Sequence, residues 1–308
     1  MNRNVIVLSG GISEEREVSL VSSREIASGL TSRGYSTILV DPAEFSHYSD
    51  MISTIRSHDP YIVFNGLHGG AGEDGRIQAL LDLEKIPFTG SGYRSSALAM
   101  DKLASKLLAR EVGVSVPGYQ LVYSAGAEQI TSLIKNIGFP MVVKPNSSGS
   151  SCGVSIIEEE ELVIPALEEA LKFGIPILAE QYINGRELTV TVLDNAPLPV
   201  VEITPINGWY DYHHKYKKGN SIYEVPAKLS PDQSQIVQQK ALAIHRILGC
   251  HAYSRVDFRF DGKDFYYLES NTLPGMTPLS LTPMAAKAAG LDFGDLLEKI
   301  IQTSLKCN

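Results

Sequence analysis

Residues 255–271 read RVDFRFDGKDFYYLESN, and this stretch carries the strongest chemical signal in the chain. Arg255-Val256-Asp257 lies on one strand and Tyr266-Tyr267-Leu268-Glu269-Ser270-Asn271 on another, with Asp261-Gly262 at the turn between them. Residues two apart share a face of a strand, so Arg255 points with Asp257, and Glu269 with Asn271. With a loop over 262–264, Asp257 sits opposite Glu269. Two carboxylates directly opposite each other repel. A bound cation turns that repulsion into a site. Carboxylate and amide oxygens suit a hard cation such as Mg²⁺, which also takes substrate phosphates as ligands. The alternative is two solvated surface carboxylates. Arg255 and the following Pro274-Gly275-Met276 turn favour the site.

A second signal lies upstream, in Lys144-Pro145-Asn146-Ser147-Ser148-Gly149-Ser150-Ser151-Cys152-Gly153. Small residues let backbone N–H groups approach a phosphate, and a lysine adds positive charge. The lysine precedes the glycines, so this is not a Walker A loop. A flexible surface hairpin is equally compatible. At the N-terminus, Asn4 to Leu8 reads as a buried strand broken by Gly10-Gly11, with a helix around Ser22 to Leu30. Strands follow at Thr37 to Val40 and Tyr61 to Phe64, the latter ending at Gly66-Leu67-His68-Gly69-Gly70. This alternation predicts an open, mostly parallel α/β sheet, with ligands at the carboxyl ends of its strands. His68 there reads either as a ligand contact or as a turn residue. Glu14 to Glu17 reads as a solvated helix start, the usual fate of such a cluster.

Further on, a helix is expected over Asp101 to Val112 and strands at Tyr119 to Val122 and Met141 to Val143. Strands at Leu188 to Leu193 and Leu198 to Ile203 precede a polar stretch from Asn207 to Ser221, and Pro231 to Leu248 is a long helix. The chain has 308 residues, enough for two units at a prior of ~150 residues each, or three small ones. Its charge of −8 argues against a nucleic-acid partner. Three cysteines, Cys152, Cys250 and Cys307, make neither a disulfide framework nor a zinc spacing, which points to a reducing cytoplasm. Cys152 reads as a packing residue. The first apolar run is too short for a signal-peptide core, and no stretch approaches the ~20 apolar residues of a membrane span.

Together these segments resemble the D-alanine–D-alanine ligases of the ATP-grasp superfamily. The resemblance rests on Gly10 to Leu20, Leu67 to Gly75, Thr89-Gly90-Ser91-Gly92, Met100-Asp101-Lys102 and Gly149-Ser150-Ser151. It continues through Gly185-Arg186-Glu187-Leu188-Thr189-Val190, Tyr210-Asp211-Tyr212 with Lys215-Tyr216, Arg255-Val256-Asp257, Glu269-Ser270-Asn271-Thr272 and Pro274-Gly275-Met276-Thr277. Their order and spacing together are highly specific. The resemblance implies an N-terminal α/β substrate-binding unit over 1–95. It implies two ATP-grasp units, central over 96–183 and C-terminal over 184–308, with α+β character and ATP between them.

By that resemblance Lys102 and Lys144 contact the phosphates. Glu180, Gln181 and Ile183 belong to the adenine hinge, Glu187 holds the ribose, and Trp209 lies against adenine. Lys215 serves nucleotide and substrate. Asp257, Glu269 and Asn271 match ligands for Mg²⁺ or Mn²⁺, two ions in all. Glu15 binds the amino group of the first D-alanine, with His68 nearby. Ser150 and Tyr216 join Glu15 in a hydrogen-bonded set that ties a mobile loop, residues 207–221, over the site. Arg255 and the Gly275 N–H form the oxyanion hole, and Ser280 and Leu281 receive the carboxylate of the second D-alanine. The resemblance also implies a homodimer and a cytoplasmic enzyme.

The implied reaction is coherent. ATP phosphorylates one D-alanine carboxylate, the second amine attacks, and phosphate leaves. Each oxyanion donor is worth roughly 3–4 kcal/mol in other enzymes. Ser148, Leu279 and Ser270 depart from the usual pattern, but none removes a metal ligand or the oxyanion arginine. Three rivals remain at this stage: an ATP-grasp ligase for other amino acids, a non-catalytic nucleotide-binding scaffold, and an NAD-dependent dehydrogenase. Lys215-Tyr216 favours an amine as second substrate. Arg255 with the acidic set disfavours a scaffold. Gly10-Gly11 does not extend to the dinucleotide fingerprint.

Overall fold

The computed structural model describes residues 3–149, 152–206, 221–277 and 280–306. Ser150, Trp209, Lys215, Tyr216 and Leu279, with the lid expected before Ser221, lie outside the described residues.

β1 (Asn4–Leu8) lies between β2 (Ser36–Val40) and β3 (Ile62–Asn65), all parallel. Val5 to Leu8 are fully buried because both faces of β1 are covered. Val5 and Val7 pack with Ile26 and Leu30 of α1 (Arg16–Ser32). Ile6 and Leu8 pack with Met51 and Ile55 of α2 (Tyr48–Ser57), and α3 (Gly70–Glu73) leads into α4 (Arg76–Leu83) on that side. Helix α1 starts six residues before the expected Ser22. Its first turns hide Ser19, Ser22 and Ser23, whose buried hydroxyls are hydrogen-bonded; Ser19 donates to the Gly66 carbonyl at 2.8 Å. Polar residues there break the apolar period that marks a helix.

The second sheet is antiparallel, in the order β4 (Tyr119–Val122), β7 (Ile177–Gln181), β5 (Met141–Pro145), β6 (Ser155–Ile157). Its core includes Leu133 of α7 (Ala127–Ile137) and Leu167 of α8 (Val163–Leu171). The third sheet runs β11 (Ser221–Glu224), β10 (Val201–Pro205), β8 (Arg186–Leu193), β12 (Tyr253–Phe260), β13 (Phe265–Asn271), with β9 (Ala196–Pro197) on β8. One of its faces packs against α5 (Tyr93–Met100), α6 (Lys102–Glu111) and α9 (Pro231–Ile247). Helices α5 and α6 therefore pack with the third sheet, although most of their sequence lies within 96–183. On the other side lie α10 (Leu281–Ala288), α11 (Phe293–Ser304) and the first sheet.

Two expectations shift locally. Leu198 to Ile203 is not one strand. Asp194 and Asn195 both take positive φ in the turn after β8, β9 ends at Pro197, and β10 begins only at Val201. Pro199 lacks the N–H that a continuous ladder requires. The β12–β13 loop is also one residue longer than expected, since Phe260 pairs with Phe265. The register then shifts beyond Phe258, with Leu268 as the extra residue, and Asp257 pairs with Glu269 as the sequence predicts.

Candidate active site

The acidic pair sits where β8, β12 and β13 run side by side. Asp257 is opposite Glu269 on one flank and Thr189 on the other. Thr189 donates its hydroxyl to Asp257 Oδ1 at 2.6 Å. Arg255 shares the Asp257 face and binds it through two hydrogen bonds, Nε to Oδ1 at 2.9 Å and Nη2 to Oδ2 at 2.8 Å. Asn271, opposite Arg255, accepts from the Leu273 N–H through Oδ1 at 2.9 Å and so is held in place. Two facing carboxylates and an amide oxygen fit a hard cation that completes its shell with water and phosphate oxygens. They do not fit a soft-metal site, and no group of three His, Cys, Asp or Glu among the described residues makes one.

A cleft with about 910 Å³ of open space runs from this pair towards the second sheet. Lys102, Lys144, Glu180, Gln181, Ile183 and Glu187 all line it. The sequence brings the lysines together through Asn146. Asp101 caps α6 by accepting from the Ala104 N–H and also accepts from Asn146 Nδ2 at 2.8 Å. Asn146 Oδ1 accepts in turn from the Leu103 N–H. Lys102 Nζ then donates to the Ser148 carbonyl at 2.6 Å and lies 3.2 Å from Glu269 Oε2. Arg259 Nη2, across the sheet, is 3.8 Å from Glu187 Oε2.

Glu180 is buried between two lysines, Lys106 at 2.7 Å and Lys144 at 2.6 Å. Burial raises a carboxyl pKa, but the two ammonium groups outweigh it and hold Glu180 below the usual carboxylate range. Burial pulls Lys106 down to about 8, with Glu180 opposing.

Glu15, at the N-cap of α1, is also buried. Gly69, at φ +65°, and Gly149 are the reason it fits. A Cβ at either position would lie 2.7 or 2.8 Å from Glu15 Oε2. Glu73, on the short helix after β3, accepts from the Gly69 N–H at 2.9 Å. Burial, then the charge of Glu15, pushes Glu73 up to about 8, against the Gly69 N–H and Arg255.

His68 is buried with both ring nitrogens engaged. Nδ1 donates to the Leu273 carbonyl and Nε2 accepts from the Ser22 hydroxyl, each at 3.0 Å. Burial, aided by Arg255, keeps its pKa below the usual histidine value. The ring therefore ties the β3 loop to the segment after β13. Gly275 closes the site there. A Cβ on it would meet Ser280 Oγ at 2.8 Å, and Ser280 accepts from the Thr277 N–H at 3.0 Å. Leu281 turns its side chain into the core, so its backbone N–H at the start of α10 is what it can offer a carboxylate.

Glu73 and Lys106 were not singled out from sequence. Glu73 lies in the quoted Gly72-Glu73-Asp74-Gly75 run. Lys106 stands four residues after Lys102, on the same helix face. That spacing was its one signal.

The model of the D-ala D-ala ligase C-terminus matches residues 108–302, and that of the D-ala D-ala ligase N-terminus matches residues 43–91. A D-alanine–D-alanine ligase of Halalkalibacterium halodurans is 43% identical over 98% of this chain and 99% of its own length. The crystal structure of D-alanine–D-alanine ligase from Bacillus anthracis superposes with a TM-score of 0.88 at 35% identity, covering 99% of this chain and 98% of that one. The same enzyme complexed with ATP gives 0.85 at 33% identity, covering 100% and 98%. With facing carboxylates, a lysine-lined cleft and full-length similarity of this order, the chain belongs to the D-alanine–D-alanine ligase family.

Proposed function

We propose that this protein joins two D-alanines at the expense of ATP, supplying the terminal dipeptide of peptidoglycan precursors. The observation that carries the reading is Asp257 opposite Glu269, at the mouth of a cleft lined by Lys102 and Lys144. ATP lies in that cleft, with adenine towards Glu180, Gln181, Ile183 and Trp209, ribose at Glu187, and phosphates at Lys102 and Lys144. Asp257, Glu269 and Asn271 would hold Mg²⁺ or Mn²⁺, which would neutralise the charge that develops as phosphate moves.

Glu15, Ser150 and Tyr216 form the set around the first D-alanine, whose amino group Glu15 binds. Its carboxylate oxygen takes the γ-phosphoryl group of ATP, ADP leaves with the bridging oxygen, and an acyl phosphate results. The second D-alanine is held through its carboxylate by Ser280 and the Leu281 N–H, and its amine attacks the acyl carbon. Arg255 and the Gly275 N–H stabilise the oxyanion, and the phosphate departs with its electron pair. Lys215 and the stretch 207–221 cover the site, because water would hydrolyse the intermediate. Among the described residues no helix is long and apolar enough to cross a membrane. A cytoplasmic homodimer is the form we propose for it.

The test is phosphate release from MgATP with D-alanine, L-alanine, D-alanine plus D-lactate, or no amino acid, the product being identified by mass. D-alanyl-D-alanine formed only where D-alanine is present supports the reading. Release without that dipeptide overturns it.

A further inference from the structure

Lys106 does not line the cleft, yet it touches the wall from behind. It is fully buried on α6. Its Nζ donates to the Tyr267 carbonyl of β13 at 3.0 Å and sits 5.5 Å from the centre of the Tyr267 ring. The same atom is 2.7 Å from Glu180 Oε1. The other Glu180 oxygen, Oε2, lies 2.6 Å from Lys144 Nζ, and Lys144 does line the cleft.

The charges decide what this arrangement does. Lys144 and Glu180 alone sum to zero, and a neutral pair offers little to an anion. Adding Lys106 leaves one net positive charge, and of the two lysines only Lys144 faces the cleft. We propose that Lys106 is a positioning residue for nucleotide binding. It neutralises Glu180 from behind the wall, so that the charge of Lys144 is available to a nucleotide phosphate. It also pins the hinge strand β7 to β13, across the two sheets that flank the cleft. In such a buried setting one unit charge acts strongly, since screening is weak.

The inference rests on the reading that a nucleotide occupies this cleft, and the experiment separates the two. MgADP binding to the full-length protein is measured by calorimetry for the parent, Lys106→Met, Glu180→Gln, the double variant and Ile156→Trp. The last fills the cleft. Lys106→Met weakens MgADP about tenfold or more in the parent background, and raises KM for ATP without changing KM for D-alanine. In the Glu180→Gln background no carboxylate competes with the phosphate for Lys144, so only the more remote charge of Lys106 itself is lost and the same substitution changes binding by less than about threefold. Parent-like binding by Lys106→Met overturns the proposal. So does an equal loss in both backgrounds, which is the mark of packing, or of the Lys106 charge acting on the phosphate without Glu180. Should Lys106→Met fail to fold, the pair in the Glu180→Gln background still decides. A change below about threefold there supports the proposal, and a loss of about tenfold or more overturns it. Unchanged binding by Ile156→Trp rejects the cleft as the nucleotide site, independently of Lys106.

Discussion

Arg255 and Asp257, two residues apart on β12, grip each other through paired hydrogen bonds of 2.9 and 2.8 Å. One is the proposed oxyanion donor and the other a proposed metal ligand. The strand pleat that puts both on one face couples the two halves of the chemistry. Removing the arginine leaves Asp257 still held by Thr189. Arg255→Ala should therefore lower kcat by about 10²–10³ while leaving MgADP affinity within about threefold. Steady-state kinetics with calorimetry check both.

Thr189 is a finer probe of the metal site. Its hydroxyl orients the Asp257 carboxylate from the neighbouring strand. Thr189→Val keeps the shape and removes the donor. The Mg²⁺ concentration for half-maximal rate should rise by roughly tenfold or more, as for other residues that orient metal ligands. A metal titration at saturating ATP and D-alanine measures it.

Gly149 makes room for Glu15. A Cβ there would stand 2.8 Å from Glu15 Oε2 and 3.8 Å from Glu73 Oε2. Gly149→Ala should displace the Glu15 carboxylate and raise KM for the first D-alanine about tenfold, a loss of ~1.4 kcal/mol. The variant should melt close to the parent temperature, because the displacement is local.

Glu73 gives the protein a pH signature. Its folded pKa, about 8, lies above the ordinary carboxyl value of 4.5, chiefly through burial. Between these values the native state binds the extra proton. The Glu73 contribution to stability is thus full at acid pH and is lost as pH rises towards 8. Glu73→Gln, which cannot ionise, should flatten the fall of Tm between pH 5 and pH 8. Melting curves across that range test it, and an unchanged slope would reject the assignment.

The strands and the acidic register were legible because period-two patterning is local. Asp257 opposite Glu269 followed from side-chain alternation and a short turn. It holds even though the loop is one residue longer, because the extra residue at Leu268 restores the register. Such compensation depends on how β13 meets its neighbour, which no local pattern encodes. The early start of α1 was masked by Ser19, Ser22 and Ser23, whose burial depends on partners near residues 66–68. Lys106 was hidden for a similar reason. A lysine on a helix reads as a solvated face until the fold brings Glu180 and Tyr267 to it. His68, which read as a ligand contact or a turn residue, has both ring nitrogens engaged by Leu273 and Ser22, and Leu273 is distant in sequence.

In the proposed reaction phosphate passes to the carboxylate of the first D-alanine before the peptide bond forms. D-alanine labelled with ¹⁸O in its carboxylate tests this directly, with the phosphate, nucleotide and dipeptide analysed by mass spectrometry. The bridging oxygen of an acyl phosphate comes from the carboxylate and leaves with the phosphate when the amine attacks. One ¹⁸O in the released phosphate for each dipeptide formed is the predicted result. Unlabelled phosphate, or ¹⁸O carried in AMP, would contradict the account.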